Sequence, residues 1–216
     1  MRALTNPRAL SSIAKVGLVS GPLGVLLDNQ HGLFGTLNYS SFAYTFSIGE
    51  TLLVKSAYWV PVLFTFAGVA MSAIQLAADA RFPSERSRVQ PSWPTTLNNI
   101  GFFAALYYIS GALDSVQYDP LIINLILSAI AVAGFSVFDG TVAGLILALA
   151  TAIAGPIAEI GLINVTKLYS YSHADILGIC QWIPAVYFLG GSAVGNLARS
   201  WAYGVEDSKD RDTTEK

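Results

Sequence analysis

The chain has 216 residues, of which 53% are hydrophobic and only 12% are charged. A soluble domain carries about twice that share of charge, roughly 25%, so an ordinary soluble protein is excluded. The net charge of -2 and the single cysteine exclude a basic nucleic-acid-binding surface, an intrachain disulfide and a cysteine-rich metal site. The apolar residues lie in long blocks, which indicates an integral membrane protein.

Six apolar blocks approach or exceed the roughly 20 residues that a helix needs to cross a hydrocarbon core of about 30 Å. A backbone in lipid must satisfy its hydrogen bonds internally, and the blocks lack the alternation of barrel strands, so we predict helices. The blocks are residues 10–27, 52–78, 95–113, 120–138, 142–165 and 176–203. The sequence thus predicts an all-α bundle of six transmembrane helices (residues 1–205) with a flexible cytoplasmic tail (206–216).

The basic residues indicate the orientation of these helices, because Lys and Arg concentrate in cytoplasmic loops. One side of the predicted bundle has only Lys167 in its loops, with Lys55 a few residues inside the second helix. Nine cations fall on the other side: Arg2, Arg8, Arg81, Arg86, Arg88, Arg199, Lys209, Arg211 and Lys216. We therefore predict that both termini are cytoplasmic.

Two carboxylates in or beside the predicted helices are candidate functional groups, because ionisable residues are costly in a membrane. Glu159 in the fifth helix either bonds to a neighbouring helix or to backbone freed by Pro156, or it serves as a proton relay or ligand contact. Asp139, in the turn after the fourth helix, is expected to cap the fifth. His31 and His173 fall in predicted outer loops as solvated residues, so we expect no metal site and no cofactor besides a bound lipid.

Helices three and four each carry polar and aromatic side chains along one face. Asn99, Phe103 and Tyr107 share a face of helix three, and Asn124 and Ser128 share a face of helix four. The two stripes either line an amphiphilic pocket between these helices or form hydrogen bonds within a tight bundle. The sequence contains no zinc-protease, serine-hydrolase or phosphate-loop motif, so binding is favoured over catalysis.

Pairs of glycines four residues apart put two small residues on one helix face and allow close packing of helices in a membrane. The pairs are Gly17 and Gly21, Gly140 and Gly144, and Gly191 and Gly195.

Five segments carry a family resemblance: S-A-Y-W-V-P at 56–61, F-D at 138–139, Y-S-Y-S-H-A-D at 169–175, W-I-P at 182–184 and F-L-G-G-S-A-V-G-N-L-A-R at 188–199. In this order they resemble S-A-W-W-V-P, F-D, Y-x-Y-S/T-x-x-D, W-x-P and F-x-G-G-x-x-x-G-N-x-x-R of the Insig family, the insulin-induced gene proteins. The last pattern is long enough to be specific. By this resemblance the chain is identified as a minimal or prokaryotic homologue of that family.

The resemblance implies a six-helix membrane protein with both termini cytosolic. Insig proteins sense sterols in the endoplasmic reticulum by binding oxysterols among their helices; the occupied form holds the escort protein Scap and promotes degradation of a sterol-synthesis reductase. By this resemblance Phe103 lies near the lipid, and Asp139 matches the Asp linked to Scap binding. The residues expected in partner contacts or helix packing are Trp59, Asp139, Trp182, Gly190, Gly191, Gly195, Asn196 and Arg199.

The chain departs from the family pattern at two places. Ile122 stands where the family has Gln, with Asn124 as a nearby substitute, and residues 140–142 lack the basic side chains that follow F-D. These departures argue against Scap retention and weaken the oxysterol assignment. We therefore predict an Insig-like protein, not an enzyme, that holds a sterol or diacylglycerol-like lipid, in the endoplasmic reticulum membrane if eukaryotic or the plasma membrane if bacterial; a homo-oligomer is left open. The alternative is a small transporter or intramembrane enzyme that uses Glu159 and Asp139.

Overall fold

The computed structural model describes residues 6–84 and 90–203, and six long helices account for most of them. They are α1 (Pro7–Phe34), α2 (Val60–Arg81), α3 (Trp93–Ser115), α4 (Pro120–Phe138), α5 (Val142–Gly161) and α6 (Ile183–Ala202). A π-helical turn, Leu162–Thr166, follows α5. The six-helix fold expected from the sequence is confirmed. The predicted tail lies outside the described residues, as do six of the nine cations that indicated the orientation.

Four helices begin at a side chain that accepts a hydrogen bond from the first turn, which satisfies an otherwise free backbone N–H. The caps are Asn6, Ser92, Asp119 and Thr141. The prediction that Asp139 caps α5 is wrong, because Gly140 turns the chain with φ 64° and brings Thr141 to the cap position. The carboxylate of Asp139 instead accepts from the Thr141 backbone N–H at 3.1 Å and from its hydroxyl at 2.6 Å.

Four short strands lie at one end of the bundle. β2 (Ala43–Ile48) and β3 (Thr51–Ala57) form an antiparallel hairpin, and β1 (Leu37–Tyr39) pairs antiparallel with β4 (Tyr169–Tyr171). In the second pair Leu37 lies opposite Tyr171 and Tyr39 lies opposite Tyr169. This small sheet therefore brings the segment after α1 beside the segment before α6.

Two predicted helix starts are wrong. The second block was expected to begin at residue 52, but residues 51–57 form β3, and α2 begins at Val60, next to Pro61. The sixth block was expected to begin at residue 176, but Leu177 and Gly178 have φ values of 50° and 91°, and α6 begins at Ile183. Apolar strands and loops share the hydropathy of a helix, and the prolines at the two true starts have the backbone angle of a first turn.

The last helix, α6, lies at the centre of the bundle and packs against the other five. Most of its residues are buried, including polar ones such as Ser192, Asn196 and Arg199. Among the described residues four helices are long and apolar enough to cross a membrane by themselves: Pro7–Phe34, Val60–Arg81, Pro120–Phe138 and Val142–Thr166. The helices α3 and α6 lie outside that set and carry more polar residues, of which Asn99, Asn196 and Arg199 are buried inside the bundle.

The outer surface of the bundle is strongly apolar. Large side chains are widely exposed on α1, α2, α4 and α5, for example Leu18, Phe66, Val137 and Ile157. A soluble monomer rarely shows so continuous an apolar surface. Exposure on four helices together with a polar centre is the arrangement of an integral membrane protein.

Candidate functional site

A cavity of about 590 Å³ lies at the end of the bundle that carries the strands. We call it the large cavity. Its walls come from α1, α2, α3, α5 and α6 and from the β1–β4 sheet, and they include the apolar side chains of Leu63, Phe64, Ala67 and Leu162. A volume of this size is within the range of pockets that hold a small molecule or a lipid segment.

A second cavity, of about 100 Å³, lies among α1, α2, α3 and α6; we call it the small cavity. Phe103 is part of its wall, and its ring fits against Gly190, where a Cβ atom would lie 2.9 Å from the ring. Phe64, Tyr107 and Tyr187 line both cavities. The two spaces are therefore neighbours that share a wall.

Two carboxylates line one end of the large cavity. Glu159 of α5 accepts hydrogen bonds from the hydroxyls of Tyr171 at 2.7 Å and of Tyr187 at 2.6 Å, and it is 7% exposed. Asp28 of α1 accepts a short hydrogen bond from the hydroxyl of Tyr39 and is also buried. We call these five side chains the tyrosine–carboxylate cluster. Glu159 thus bonds to Tyr187 on a neighbouring helix, which is the structural role considered for it from the sequence. It also lines a cavity, which the alternative role of a ligand contact requires.

Aromatic rings continue from this cluster along the cavity wall. The ring of Trp59 stacks on Tyr169 at a centroid distance of 5.6 Å, and Tyr169 meets Tyr171 edge-on at 5.9 Å. Burial and the nearby Glu159 carboxylate raise the pKa of the Tyr169 and Tyr171 hydroxyls. These hydroxyls therefore remain neutral hydrogen-bond donors at physiological pH.

The predicted stripe on α3 divides between packing and the cavities. Asn99 is buried and donates a hydrogen bond to the hydroxyl of Ser192 on α6 at 3.0 Å. Phe103 and Tyr107 line cavity walls, and Tyr107 stacks on His31 at 4.6 Å. The α3 stripe therefore faces α1 and α6.

The predicted stripe on α4 does not meet these cavities. Asn124 and Ser128 bond to each other within the helix at 3.2 Å, and neither lines the large or the small cavity. The buried face of α4 contains Ile123, Leu127 and Ala131, one position earlier along the chain. One residue corresponds to a rotation of about 100°, so the polar pair lies at the edge of the buried face. The cavity expected between α3 and α4 is neither of these two: the large cavity is bounded mainly by α2, α5 and the π-helical turn, and α4 lines neither cavity.

His31 was expected in an outer loop, and that prediction is wrong. The helix α1 continues to Phe34, so His31 lies inside it, fully buried, with its Nε2 2.8 Å from the Ser110 hydroxyl. Trp182, also buried, meets the His31 ring edge-on at 5.5 Å. His173 does lie in a loop, where its Nδ1 is 3.1 Å from Asp114. Among the described residues no three His, Cys, Asp or Glu side chains are grouped to hold a metal.

A second buried cluster lies at the opposite end of the bundle, and we call it the arginine–carboxylate cluster. Arg199 of α6 pairs with Asp79 of α2 at 2.6 Å and with Asp139 at 3.0 Å. Asn196 donates to the backbone carbonyl of Phe138 at 3.0 Å. The cluster thus brings together Asp139, Asn196 and Arg199, which the sequence singled out, and adds Asp79, which sequence reasoning missed.

Glycines on α6 allow its close contacts with α5 and α2. A Cβ atom on Gly191 would lie 2.8 Å from the Cα of Ala148, and one on Gly195 would lie 2.6 Å from the amide oxygen of Gln75. Real Cβ atoms do not approach backbone this closely, so α5 and α6 touch because residue 191 has no side chain.

No family model matches the chain. An insulin-induced gene 1 protein from Danio rerio is 29% identical over 153 residues, which cover 70% of this chain and 59% of that protein. The protein of the same name from Homo sapiens is 27% identical over 160 residues, which cover 74% of this chain and 56% of that protein. The chain is similar to Insig proteins over about seven tenths of its length. It spans well under two thirds of the length of these curated relatives.

The fold of this chain is similar to that of a solved bacterial structure. The Insig homologue MvINS from Mycobacterium vanbaalenii superimposes with a TM-score of 0.73 over 88% of this chain and 93% of that chain, at 19% identity. A further structure of MvINS is a cross-linked trimer. The likeness confirms the membrane bundle.

The segments of the chain that resemble Insig patterns meet at the large cavity and in the arginine–carboxylate cluster. The Y-S-Y segment supplies Tyr169 and Tyr171 to the large cavity, and the W-V-P segment supplies Trp59. The F-D and N-L-A-R segments supply Asp139 and Arg199 to the arginine–carboxylate cluster. Each cluster is therefore built from segments far apart in the chain.

Proposed function

We propose that this Insig-like chain is a non-catalytic membrane protein that binds and senses a lipid in the large cavity. The lipid has a small polar head and a long apolar body, as a sterol or a diacylglycerol does, and no other cofactor is needed. The observation that carries this proposal is a cavity of about 590 Å³ whose apolar walls end at two buried carboxylates. Apolar contact supplies most of the binding energy, at about 25 cal/mol per Å² of surface removed from water, and the polar end orients the ligand.

A transporter or enzyme that uses Glu159 together with Asp139 is less well supported. Asp139 precedes α5 and Glu159 lies in its last turn, and the 20 residues of α5 run from Val142 to Gly161. At 1.5 Å per residue the two carboxylates lie about 30 Å apart along the helix axis. A proton would need intermediate carriers over this distance, and the α5 residues between them are almost entirely apolar.

The proposal extends to assembly, location and partners. The MvINS trimer supports a homo-oligomer. We propose the plasma membrane of a bacterium or the endoplasmic reticulum membrane of a eukaryote, with both termini cytoplasmic; the apolar surface supports a membrane location in general. Retention of a Scap-like partner is not expected, because Asp139 is 1% exposed and paired with Arg199. Reporter fusions to the C-terminus test the orientation, and an outward C-terminus would contradict it.

Filling the large cavity tests the binding proposal. Ala67 of α2 lines both cavities, whereas Ala70, one turn on, is exposed and lines neither. We expect Ala67→Trp to reduce labelling by photoactivatable sterol or diacylglycerol probes at least several-fold and to deplete lipid that copurifies with the wild type. Ala70→Trp adds the same bulk on the outside and should leave both measurements unchanged. Equal labelling of the two variants would place the lipid elsewhere.

A further inference from the structure

We propose that the large cavity selects a ligand whose polar end is a cationic amine over one whose polar end is a neutral hydroxyl. This inference rests on the proposed lipid-binding function and names the chemical class of the ligand head. It is carried by the charge and the aromatic content of the cavity end that holds the tyrosine–carboxylate cluster.

The two carboxylates of this cluster have hydrogen bonds but no countercharge. Their side-chain partners are the neutral hydroxyls of Tyr39, Tyr171 and Tyr187. Across the described parts of the chain, no Lys, Arg or His nitrogen lies within 4.0 Å of Asp28 or Glu159. A buried carboxylate is normally paired with a cation, because desolvating an isolated charge is costly. The same chain pairs two other buried carboxylates, Asp79 and Asp139, with Arg199, and a third, Asp114, lies 3.1 Å from Nδ1 of His173.

The walls around these carboxylates favour positive charge in a second way. Five aromatic side chains line the large cavity near its acidic end: Trp59, Tyr107, Tyr169, Tyr171 and Tyr187. The face of an aromatic ring attracts an ammonium group through its quadrupole, most strongly where water is excluded. The rings and the carboxylates both attract a cation, whereas a neutral group lacks this electrostatic attraction.

The position of the charges fits an amphiphile. The carboxylates lie at one end of the cavity, while Leu63, Phe64 and Ala67 of α2 line it farther along that helix from the strands. An alkyl or sterol body can occupy this apolar part while an ammonium group donates hydrogen bonds to Glu159 or Asp28. A hydroxyl head can also donate a hydrogen bond there, but it supplies no positive charge to either carboxylate.

A matched pair of probes tests the charge of the ligand head. The probes are oleylamine and oleyl alcohol, each with a mid-chain diazirine, presented in phosphatidylcholine nanodiscs at neutral pH. Adducts in peptides of the large cavity are counted against adducts in α4, which faces the bilayer and corrects for partitioning of each probe. We expect oleylamine to half-saturate the cavity peptides at about a tenfold lower concentration than oleyl alcohol.

Substitutions of the carboxylates locate the effect. Glu159→Gln keeps an acceptor for the tyrosine hydroxyls and removes the charge, so the tenfold preference should fall to about twofold. Asp28→Asn is the second variant, and Glu50→Gln in the exposed hairpin turn is the matched control with no expected effect. Unfolding curves of each variant show which ones are intact.

Each outcome has a separate meaning. Equal half-saturation of the wild type by the two probes overturns the amine inference and leaves lipid binding intact. If folded Glu159→Gln and folded Asp28→Asn both keep the preference for the amine probe, the amine inference is also overturned, because the carboxylates would then not be the groups that distinguish an amine from a hydroxyl. If neither variant folds, the wild-type comparison alone decides. Failure of both probes to label the cavity overturns the proposed function itself.

Discussion

The two ends of the bundle bury carboxylates in opposite ways. Asp79 and Asp139 pair with the guanidinium of Arg199, and all three side chains are buried. Asp28 and Glu159 accept hydrogen bonds from tyrosine hydroxyls and line a cavity of about 590 Å³. A cluster whose charges pair within the chain joins helices; a cluster whose charges remain open beside a cavity is suited to a ligand. We therefore expect substitutions in the arginine–carboxylate cluster to change mainly the stability of the protein, and substitutions in the tyrosine–carboxylate cluster to change mainly ligand binding.

The largest expected effect is on the paired cluster. Arg199→Met leaves two buried carboxylates without a cation, so we expect the free energy of unfolding in detergent to fall by about 3–5 kcal/mol. Thermal unfolding followed by tryptophan fluorescence measures it. Adding Asp139→Asn to that variant removes one unpaired charge and should recover part of the loss. If Arg199→Met is as stable as the wild type, the arginine–carboxylate cluster does not stabilise the bundle, and the proposed difference between the two ends is wrong.

A glycine midway along α6 tests whether the two ends are held in place by the same packing. Gly191→Leu would collide with the backbone of Ala148, and we expect a loss of about 2–3 kcal/mol, together with weaker probe labelling. Gly101→Leu on α3 is the matched control, since a side chain there meets nothing within 4 Å. Stability and oligomeric state in detergent are the measurements. If Gly191→Leu has the same stability and oligomeric state as Gly101→Leu, then α5 and α6 do not depend on a close contact at residue 191.

The open cluster should respond less in stability and more in binding. Tyr171→Phe removes one donor from Glu159, so we expect a loss of about 1–2 kcal/mol in the unfolding free energy. The amine probe should restore more stability to this variant than the alcohol probe does. Tyr44→Phe in the hairpin is the control, because the Tyr44 hydroxyl bonds to no residue in the described ranges. If Tyr171→Phe lowers the unfolding free energy as much as Arg199→Met does, the tyrosine–carboxylate cluster serves mainly to hold the helices together.

The smallest effect is expected on α4, away from both clusters. Ser128→Phe and Ser128→Ala should each leave probe labelling within experimental error of the wild type, because Ser128 lines neither cavity. Labelling of the large-cavity peptides compares them directly with Ala67→Trp. A reduction by Ser128→Phe that matches Ala67→Trp would move the lipid to the face between α3 and α4.

The sequence predicted the helices well where turns bound them tightly. Residues 120–138 were predicted as a helix and form α4 with those bounds, because Asp119 and Pro120 begin it and Gly140 follows its end. The hairpin at 43–57 was missed, because its apolar strand runs without a break in hydropathy into α2. His31 was misplaced for the opposite reason: three polar residues before it resemble a loop, but α1 continues through them to Phe34 and buries Asp28, Asn29 and His31.

Part of the lining of the candidate site was predicted from the sequence. Phe103 and Tyr107, predicted to bind lipid, and Glu159, a possible ligand contact, line the cavities; Trp59 lines one too, although it was expected in partner contacts or packing. Asn124 and Ser128 do not, because a spacing of four residues shows which side chains share a face but not which way that face points. No sequence pattern indicated that Asp28 and the tyrosines at 39, 171 and 187 belong to one site, because these residues lie far apart in the chain and meet only in the folded bundle.

Membrane class, the number of helices and most helix ends were determined by the sequence itself. These properties depend on the summed hydropathy of one continuous segment and on local caps, which are read without knowing any other segment. The pairing of charges was decided only by the tertiary structure. Arg199 reaches Asp79 across 120 positions of the chain, whereas Glu159 meets tyrosines and no cation. Which carboxylate finds a countercharge depends on the rotation of each helix about its own axis, and close packing of the whole bundle sets that angle.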